Sequence, residues 1–227
     1  MNLLNLSILF FALVVSVTNT ENMSQASKSK SKNVKAGWIL SDLISRPAEG
    51  IHIKGNPETI KHKNKKAVAF NGSSDAIFLD EMPLAGLTQF TVEAIIYPGS
   101  GGNFEQRFLH IGEVTGDRLL LELRSTPAGW YFDAFISVGD QQKALIEPTI
   151  LHPHDQWYHV AYVIDNGKLA SFVNGKKELE WQLNIGPVQT GKTSIGVRQN
   201  EISWFKGAIY KIQVTSKVLK PEDFMSF

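Results

Sequence analysis

The sequence predicts an all-β fold in which two antiparallel sheets pack as a jelly-roll sandwich, with a short helical turn near the C-terminus. Short segments of alternating apolar and polar residues recur from Lys66 onward, and turn-forming residues separate them. No segment of useful length with helical periodicity follows Gly50. About ten short strands at regular spacing in one domain are typical of a two-sheet sandwich or jelly roll.

The predicted strands are rich in valine, isoleucine, phenylalanine and tyrosine, which suit a pleated, half-buried surface. In chain order they are KAVAF, AIFLD, QFTVEAIIY, RFLHIGE, RLLLELR, WYFDAFISV, WYHVAYVID, LASFVNG, TSIGV, SWFKGAI and YKIQVTS. Before them, Trp38–Ile44 (WILSDLI) fits a short helix or a strand equally well, because apolar runs this short do not separate the two. After them, Pro221 and the acids that follow it predict one helical turn over Lys220–Phe224.

Two Asn-Gly pairs, Asn166-Gly167 and Asn174-Gly175, flank the segment LASFV. Asn-Gly tolerates positive φ at both central positions of a turn and is the strongest short signal for a tight hairpin. WYHVAYVI is therefore expected to turn at residues 165–167, and the chain is expected to turn again at Asn174-Gly175. These turns set the register, which decides the side chains that face the core.

The N-terminal residues predict export. Leu6–Val17 is apolar and uncharged, and it is shorter than the roughly 17–25 residues that cross a bilayer as a helix. We interpret residues 1–26 as a signal peptide with cleavage near residues 18–26, although no Lys or Arg precedes the apolar run. An uncleaved anchor and a buried segment are the alternatives. Residues 27–35 are a predicted Ser/Lys-rich linker, residues 36–227 the domain, and the expected location is secreted or periplasmic, with no membrane span after cleavage.

Composition limits the partners of the domain. The chain has no cysteine, so no disulfide stabilises it and a hydrophobic core must do so. The whole chain has 23 basic and 22 acidic residues; residues 1–35 hold four lysines and one glutamate, which leaves 19 against 21 and a net charge of −2 for residues 36–227. A near-neutral domain lacks the basic field that nucleic acids require, so no nucleic-acid partner is predicted.

Residues 186–193 (GPVQTGKT) match the phosphate-loop pattern G-x-x-x-x-G-K-[ST]. That chemistry needs a helix directly after the loop, whose N-terminus meets the phosphates. Here the β-branched segment SIGV follows, so the sequence predicts a turn into a strand and no nucleotide partner.

Four pieces of the sequence resemble the concanavalin A-like lectin/glucanase superfamily and, within it, the bacterial laminin G-like (LamG, pentraxin-related) jelly-roll domains. They are AVAFNGSSDAIFLD, FTVEAIIYP, WYHVAYVIDNGKLASFVNGKK and TSIGVRQNEISWFKGAIYKIQVTSKVLKPEDF. The likeness spans residues 34–227, and the hairpin piece is its most specific part. It implies a curved, usually extracellular sandwich that often binds carbohydrate and sometimes calcium at its rim.

The candidate metal ligands are Asp75 and Asp80, which offer the oxygen atoms that calcium takes. A hairpin turn would use the same residues with no ion. Many relatives carry an Asp after the Gly-x-Ile of the last strand, where this chain has Tyr210-Lys211, so calcium is only a possible cofactor. The loop 152–155 (HPHD) is read as a surface turn, and His159 as a residue with a hydrogen bond inside the sandwich.

Strand alternation predicts a polar face. Leu119, Leu121 and Leu123 share one face of their strand and Glu122 and Arg124 the other. If the leucines face the core, a set of polar and aromatic side chains lines the other side. By the family resemblance the concave face often holds saccharide, so the predicted glycan-binding residues are Glu93, Glu122, Arg124, Trp130, Tyr131, Asp133 and Trp204, with Arg107, His110 and Arg198 as less certain members.

Three function classes remain open. A non-catalytic carbohydrate-binding module needs only a polar face with aromatic rings, where carboxylates and arginine bond hydroxyls and rings pack on sugars. A protein-adhesion or architectural module would show the same residues as an ordinary solvated sheet face. A polysaccharide hydrolase or lyase is less well supported: Leu121–Arg124 resembles the end of a lyase motif, but the companion motifs are absent. The favoured partner is a carbohydrate polymer or glycan, and no catalytic residue is predicted.

Overall fold

Fifteen β-strands and one short α-helix form the described part of the chain, residues 33–227 of a computed structural model. The predicted signal peptide and residues 27–32 of the predicted linker lie outside the described residues. The helix α1 is Leu40–Ser45, and a single 3₁₀ turn covers Pro221–Asp223. The strands are β1 Val34–Ile39, β2 Ile51–Lys54, β3 Glu58–His62, β4 Lys65–Asn71, β5 Ala76–Leu79, β6 Gln89–Pro98, β7 Glu105–Gly112, β8 Arg118–Thr126, β9 Gly129–Val138, β10 Gln141–Ile146, β11 Tyr158–Asp165, β12 Lys168–Val173, β13 Lys176–Gln182, β14 Lys192–Ile195 and β15 Lys206–Thr215.

The strands form two antiparallel sheets, as the sequence predicted. The eight-stranded sheet has the order β13-β12-β11-β6-β15-β4-β3, and β1 also pairs with β15. The seven-stranded sheet has the order β10-β9-β8-β7-β14-β5-β2. Strands distant in sequence are neighbours in both sheets, which is the crossed connectivity of a jelly roll. Among residues 33–227, no helix has the length and apolar character needed to cross a membrane.

The core lies between the sheets and is built by strand alternation. Leu119, Leu121 and Leu123 of β8 belong to it and are fully buried, as predicted. The apolar faces of β6 and β9 meet them there, and the largest enclosed side chains include Phe108 and Phe205. Burial of this apolar surface stabilises the fold without a disulfide.

The predicted double hairpin is confirmed. β11 pairs with β12 and β12 pairs with β13, and the residues at both turns have positive φ: 48° and 86° at Asn166 and Gly167, and 49° and 76° at Asn174 and Gly175. A Cβ atom at Gly167 would lie 2.1 Å from the carbonyl oxygen of Leu183, so that turn also needs glycine for space.

The structure assigns the secondary structure of three places where the sequence allowed more than one interpretation. The segment Trp38–Ile44 contains a strand and a helix, because β1 continues to Ile39 and α1 begins at Leu40. The first described strand, β1, begins at Val34, two residues before the predicted domain boundary. The phosphate-loop match leads into strand β14, not into a helix. A Cβ at Gly191 would lie 2.0 Å from the backbone of Gly112, so tight packing explains this glycine.

Residues 217–227, the covering segment, run across the outer face of the eight-stranded sheet. The Thr91 hydroxyl donates to the carbonyl of Lys217 at 2.8 Å and accepts the backbone N–H of Leu219. Further along, the ring of Phe224 packs on His159, and the ring of Phe227 packs on Trp157 with centroids 4.6 Å apart. The chain therefore covers this outer face with its own residues.

Candidate functional site

The outer face of the seven-stranded sheet carries four of the predicted site residues together. Glu122 of β8 lies directly opposite Asp133 of β9, and Arg124 lies opposite Tyr131. These residues alternate with core residues of the same strands, so all four belong to the outward side of the sheet.

Two arginines and two carboxylates on this face form a continuous arginine–carboxylate network: Arg107, Glu122, Arg124 and Asp133. Arg124 Nη1 donates to Glu122 Oε2 at 3.0 Å, and Arg124 Nη2 lies 2.6 Å from Asp133 Oδ2. Arg107 Nε lies 2.9 Å from Glu122 Oε2, although the direction of its N–H is not that of a hydrogen bond. Each positive group thus touches a negative one.

The exposed fractions of the side chains decide which members of this network a ligand would contact. The carboxylate side chains of Glu122 and Asp133 are each 3% exposed, whereas those of Arg124 and Arg107 are 13% and 11% exposed. Glu105, 48% exposed, lies beside both arginines. A ligand would therefore contact the guanidinium groups and Glu105 first. This corrects the expectation that Glu122 and Asp133 bind sugar hydroxyls directly, because they act instead as counter-charges that hold the arginines in place.

The electrostatics of the network follow from its burial. The pKa of Asp133 is raised to about 7, chiefly by burial and then by the charge of Glu122, while Arg124 opposes both effects. Burial lowers the pKa of Arg124, but Asp133 and Glu122 outweigh that effect and raise it overall. Asp133 therefore changes charge near neutral pH, which is unusual for a carboxyl group.

His110 lies on β7 in the same sheet and is fully buried. Its Nδ1 accepts the backbone N–H of Gln199 at 3.2 Å, so Nε2 carries the proton and donates to the carbonyl of Glu113 at 3.0 Å. The pKa of His110 is lowered to about 4, chiefly by burial; the hydrogen bond to Glu113 opposes this, and nearby arginines including Arg198 and Arg118 add to the lowering. A second ring proton would also remove the acceptor that Gln199 uses.

These two groups predict opposite dependences of stability on pH. The folded-state pKa of His110 is depressed from 6.5 to about 4, so its contribution to stability is present above pH 6.5 and is lost as the pH falls toward 4. The folded-state pKa of Asp133 is raised from 3.8 to about 7, so its ionisation destabilises the fold as the pH rises through that window. The two effects oppose each other between about pH 4 and 6.5 in the wild type.

Single substitutions should separate the two effects. In urea unfolding between pH 7 and 4.5, His110→Gln should gain about 2–3 kcal/mol relative to wild type as the pH falls, since it no longer loses stability on acidification. Asp133→Asn should lose stability relative to wild type as the pH falls, because the wild type gains stability when Asp133 takes up its proton. Parallel curves for wild type and both variants over this range would contradict the assignment.

Glu93, by contrast, lies in the other sheet. It belongs to β6 and is fully buried, and its Oε1 accepts both His159 Nε2 at 2.9 Å and the backbone N–H of Met225 at 2.6 Å. The covering segment lies over it. Its assignment to the same face as Glu122 was wrong, because alternation shows which side of a strand is polar but not which sheet contains the strand. The predicted internal hydrogen bond of His159 is confirmed.

Trp130 is a core residue. It is 0% exposed and shares the inward face of β9 with Phe132. Its ring packs edge-on against Tyr158 with centroids 5.0 Å apart, and its Nε1 donates to the carbonyl of Pro153 at 3.2 Å. The prediction that it stacks on sugar was wrong, because the odd-numbered residues of this strand face outward.

Trp204 and Phe104 are aromatic residues that directly adjoin, in the chain, residues in contact with the arginine–carboxylate network. Trp204 is half-buried and follows Ser203, whose carbonyl accepts the backbone N–H of Arg107 at 2.8 Å. Phe104 is 55% exposed and directly precedes Glu105. Sequence reasoning missed Phe104, because it stands in a glycine-rich turn (GSGGNF) with no alternation to mark it. Tyr131 is nearly buried and offers little ring surface.

The structure does not bring the two candidate metal ligands together. Asp75 accepts the backbone N–H groups of Asn56 and Asn71 at 2.9 and 3.0 Å, which orders the turn before β5. Asp80 follows β5 and pairs with Lys192 at 2.6 Å, and the hydrogen bond and charge of Lys192 lower its pKa. At about 3.3 Å per strand residue the two aspartates are roughly 16 Å apart. Within residues 33–227, no group of three or more His, Asp or Glu side chains is arranged to hold a metal ion.

The polar side chains of the HPHD loop likewise each have a separate hydrogen-bond partner. His152 Nε2 lies 2.8 Å from Glu178 Oε1, and His154 Nε2 lies 2.9 Å from the hydroxyl of Ser125. The Asp155 carboxylate accepts the backbone N–H of Ser100 at 3.1 Å. Each group has its own partner, as in a surface turn.

Solved structures with the same architecture were found at low sequence identity. Domain 4 of AbnA, a GH43 extracellular arabinanase from Geobacillus stearothermophilus solved in complex with arabinotriose, is similar with a TM-score of 0.64 and 21% identity, over 84% of this chain and 95% of that one. A heptameric SAP-like pentraxin from Limulus polyphemus is similar with a TM-score of 0.50 and 19% identity, over 74% and 78%. The binding domain of botulinum neurotoxin serotype D gives 0.56 and 17%, over 74% and 44%. At these identities the likeness shows the fold alone.

A search of curated protein sequences gave no significant match. Residues 71–224 match the Laminin_G_3 family, described as concanavalin A-like lectin/glucanases superfamily. The match covers more than half of the chain and includes the double hairpin and the strands of the arginine–carboxylate network. The chain therefore belongs to this laminin G-like family of the concanavalin A-like superfamily.

Proposed function

We propose that this protein is a secreted or periplasmic, non-catalytic carbohydrate-binding module that holds a glycan against the outer face of its seven-stranded sheet. The observation that carries the proposal is the arginine–carboxylate network, whose two guanidinium groups are already fixed by buried carboxylates. A guanidinium group presents a rigid fork of N–H donors that can bond adjacent sugar hydroxyls. Because Glu122 and Asp133 hold the forks, binding would cost little side-chain entropy.

The surroundings of the network support a sugar rather than a flat protein surface. Trp204 and Phe104 adjoin Ser203 and Glu105, which contact the arginines of the network, and aromatic rings pack well against the apolar faces of sugars. The similar domain of the arabinanase was solved with arabinotriose bound. On the outer face of the seven-stranded sheet, the side chains of Arg124 and Arg107 keep 13% and 11% of their surface exposed, whereas the covering segment lies across the outer face of the other sheet.

The network favours binding over catalysis. A glycosidase places two carboxyl groups against the glycosidic bond, about 5–5.5 or 6.5–9.5 Å apart. Glu122 and Asp133 lie beneath the arginines and share Arg124, so neither reaches a bond in a bound polymer. In this proposal their role is electrostatic.

The test is affinity electrophoresis and calorimetry with soluble arabinan, xylan, galactan and β-glucan. We expect Trp204→Ala to weaken binding by about 1 kcal/mol, roughly fivefold in Kd, through loss of ring packing. Trp181→Ala is the matched control, since that tryptophan is 51% exposed on the edge strand β13 of the other sheet. Absence of binding to every polymer, or an equal loss in both variants, would reject the proposed site. Release of shorter sugars would show an enzyme instead.

A further inference from the structure

The Glu122 carboxylate, on the outer face of the seven-stranded sheet, interacts electrostatically with four arginines. Arg107 and Arg124 contact it directly. Arg118 of β8 and Arg198, which follows β14, lie farther away, but Glu122 still raises the pKa of both. One carboxylate thus serves as counter-charge for more guanidinium groups than it can pair with.

Arg118 and Arg198 have hydrogen-bond donors to spare. The Arg118 guanidinium donates to the carbonyl of Gly116 at 2.7 Å, and the Arg198 guanidinium donates to the carbonyl of Val114 at 2.7 Å. Both carbonyls belong to the turn between β7 and β8. Within residues 33–227, neither guanidinium has a carboxylate within 4.0 Å, and both residues are only half-buried. The exposed N–H groups of each guanidinium favour an added anion, because charge-assisted hydrogen bonds are the strong ones.

The same arginines repel one another. Burial lowers the pKa of Arg198, and Arg107 and Arg118 lower it further; burial and Arg107 likewise lower the pKa of Arg118. This repulsion stays in the folded protein unless an anion relieves it.

The turn between β7 and β8 also carries two carboxylates, Glu113 and Asp117, and both have other partners. Glu113 accepts from the hydroxyl of Thr190 at 2.6 Å, and Asp117 accepts the backbone N–H of Gly139 at 2.8 Å. Neither lies within 4.0 Å of the guanidinium group of Arg118 or Arg198. These two guanidinium groups are therefore the cations beside the turn that an added anion would pair with.

We infer that the glycan of this face is anionic, and that Arg118 and Arg198 bind the oxyanion of a uronate or sulfate group on the polymer. This inference rests on the proposed function and specifies its ligand class. The glycan backbone would lie along the arginine–carboxylate network, and its acidic substituent would accept from the guanidinium groups beside the β7–β8 turn.

A pair of polymers that differ only in charge tests this inference. We expect the protein to bind polygalacturonate at least about tenfold more tightly than fully methyl-esterified polygalacturonate, since esterification removes the charge and keeps the backbone. The affinity for polygalacturonate should also fall as salt is raised from 50 to 200 mM, because the attraction is screened. The affinities for dextran sulfate and dextran are compared in the same way to test a sulfate group, and arabinan serves as the neutral polymer.

The double variant Arg118→Gln/Arg198→Gln should lose about tenfold or more of the affinity for the acidic polymer and keep the affinity for the neutral one. The matched control is Lys168→Gln/Lys176→Gln, which removes the same charge from exposed positions on β12 and β13 of the other sheet. Unchanged thermal unfolding shows that the variants fold. If the double glutamine variant unfolds, Arg118→Lys/Arg198→Lys replaces it; this pair keeps the charge but loses the planar fork, and should still lose part of the acidic preference.

The outcomes separate the inference from the function on which it rests. Equal affinity for polygalacturonate and its ester, and for dextran sulfate and dextran, would overturn the anionic ligand class. Binding to arabinan in that case would leave the proposed function standing. Preference for dextran sulfate over polygalacturonate would identify sulfate as the bound group. No binding to any of these polymers would overturn both proposals. Equal losses of affinity in the arginine and lysine variants would show that net charge alone, and not the site of Arg118 and Arg198, determines binding of the acidic polymer.

Discussion

Replacing Arg124 with methionine should destabilise the protein by about 3–5 kcal/mol at pH 8, since removing one partner of a buried ion pair leaves its counter-charge uncompensated. Arg124 is the only residue of the network that contacts both buried carboxylates. Glu122 would keep its contact with Arg107 at 2.9 Å, but Asp133 would lose the contact that compensates its charge. Methionine keeps the apolar stem and removes the charge, so the loss reports the electrostatic part. Urea unfolding at pH 8 gives the free energy.

The pH dependence of this loss identifies Asp133 as its main source. At pH 5.5 Asp133 is protonated, because its folded-state pKa is about 7, so the destabilisation by Arg124→Met should be clearly smaller than at pH 8. Adding Asp133→Asn should restore much of the stability at pH 8, since the unpaired charge is then absent. A loss below about 1 kcal/mol, or a loss of equal size at both pH values, would show that the network is a weak surface feature.

Replacing Trp130 with alanine should destabilise the protein by about 3–5 kcal/mol, because it leaves a large cavity in the core. Trp130 is 0% exposed and is among the largest enclosed side chains. The variant also loses the edge-on contact with Tyr158 and the hydrogen bond to the Pro153 carbonyl. Thermal and urea unfolding measure the effect.

Trp181→Ala is again the control for this substitution. Its ring is half-exposed and contacts only the ammonium group of Lys143 at 3.8 Å among the ring contacts of the described residues, so its loss should cost at most about 1 kcal/mol. If Trp130→Ala kept wild-type stability and lost polysaccharide binding at the same time, Trp130 would belong to the binding face after all.

Strand alternation was enough to predict the sandwich and the inward faces of its central strands. The leucines of β8 are a clear case, because a period of two in a segment of nine residues leaves one consistent assignment. The Asn-Gly turns were equally clear, since few other dipeptides tolerate positive φ at both positions.

Four of the strands that the sequence did not predict are the outermost strands of the two sheets: β3 and β13 in one, β2 and β10 in the other. The segments SWFKGAI and YKIQVTS, which were predicted as two strands, form the single strand β15. Edge strands have an unpaired side and are often charged, which prevents association between sheets. β13 (KKELEWQ) and β3 (ETIKH) are therefore mostly polar, and the apolar alternation that marks a strand is lost.

The candidate site was only partly predictable because alternation gives no information about sheet pairing or loops. It placed Glu122 and Asp133 on one surface, but it could not show that β6, and with it Glu93, pairs within the opposite sheet. It also could not show that the loop before β15 brings Ser203 against Arg107. The burial of the carboxylates beneath the arginines depends on side-chain length and packing, which a pattern of residue types does not encode.

The covering segment makes the outer faces of the two sheets different. Residues 217–227 bond to Thr91 and Glu93 across one sheet, so a ligand on that side would meet the covering segment before the strands. A glycan bound as proposed on the other sheet would then see the protein in a single orientation, with the covered side directed away from the polymer.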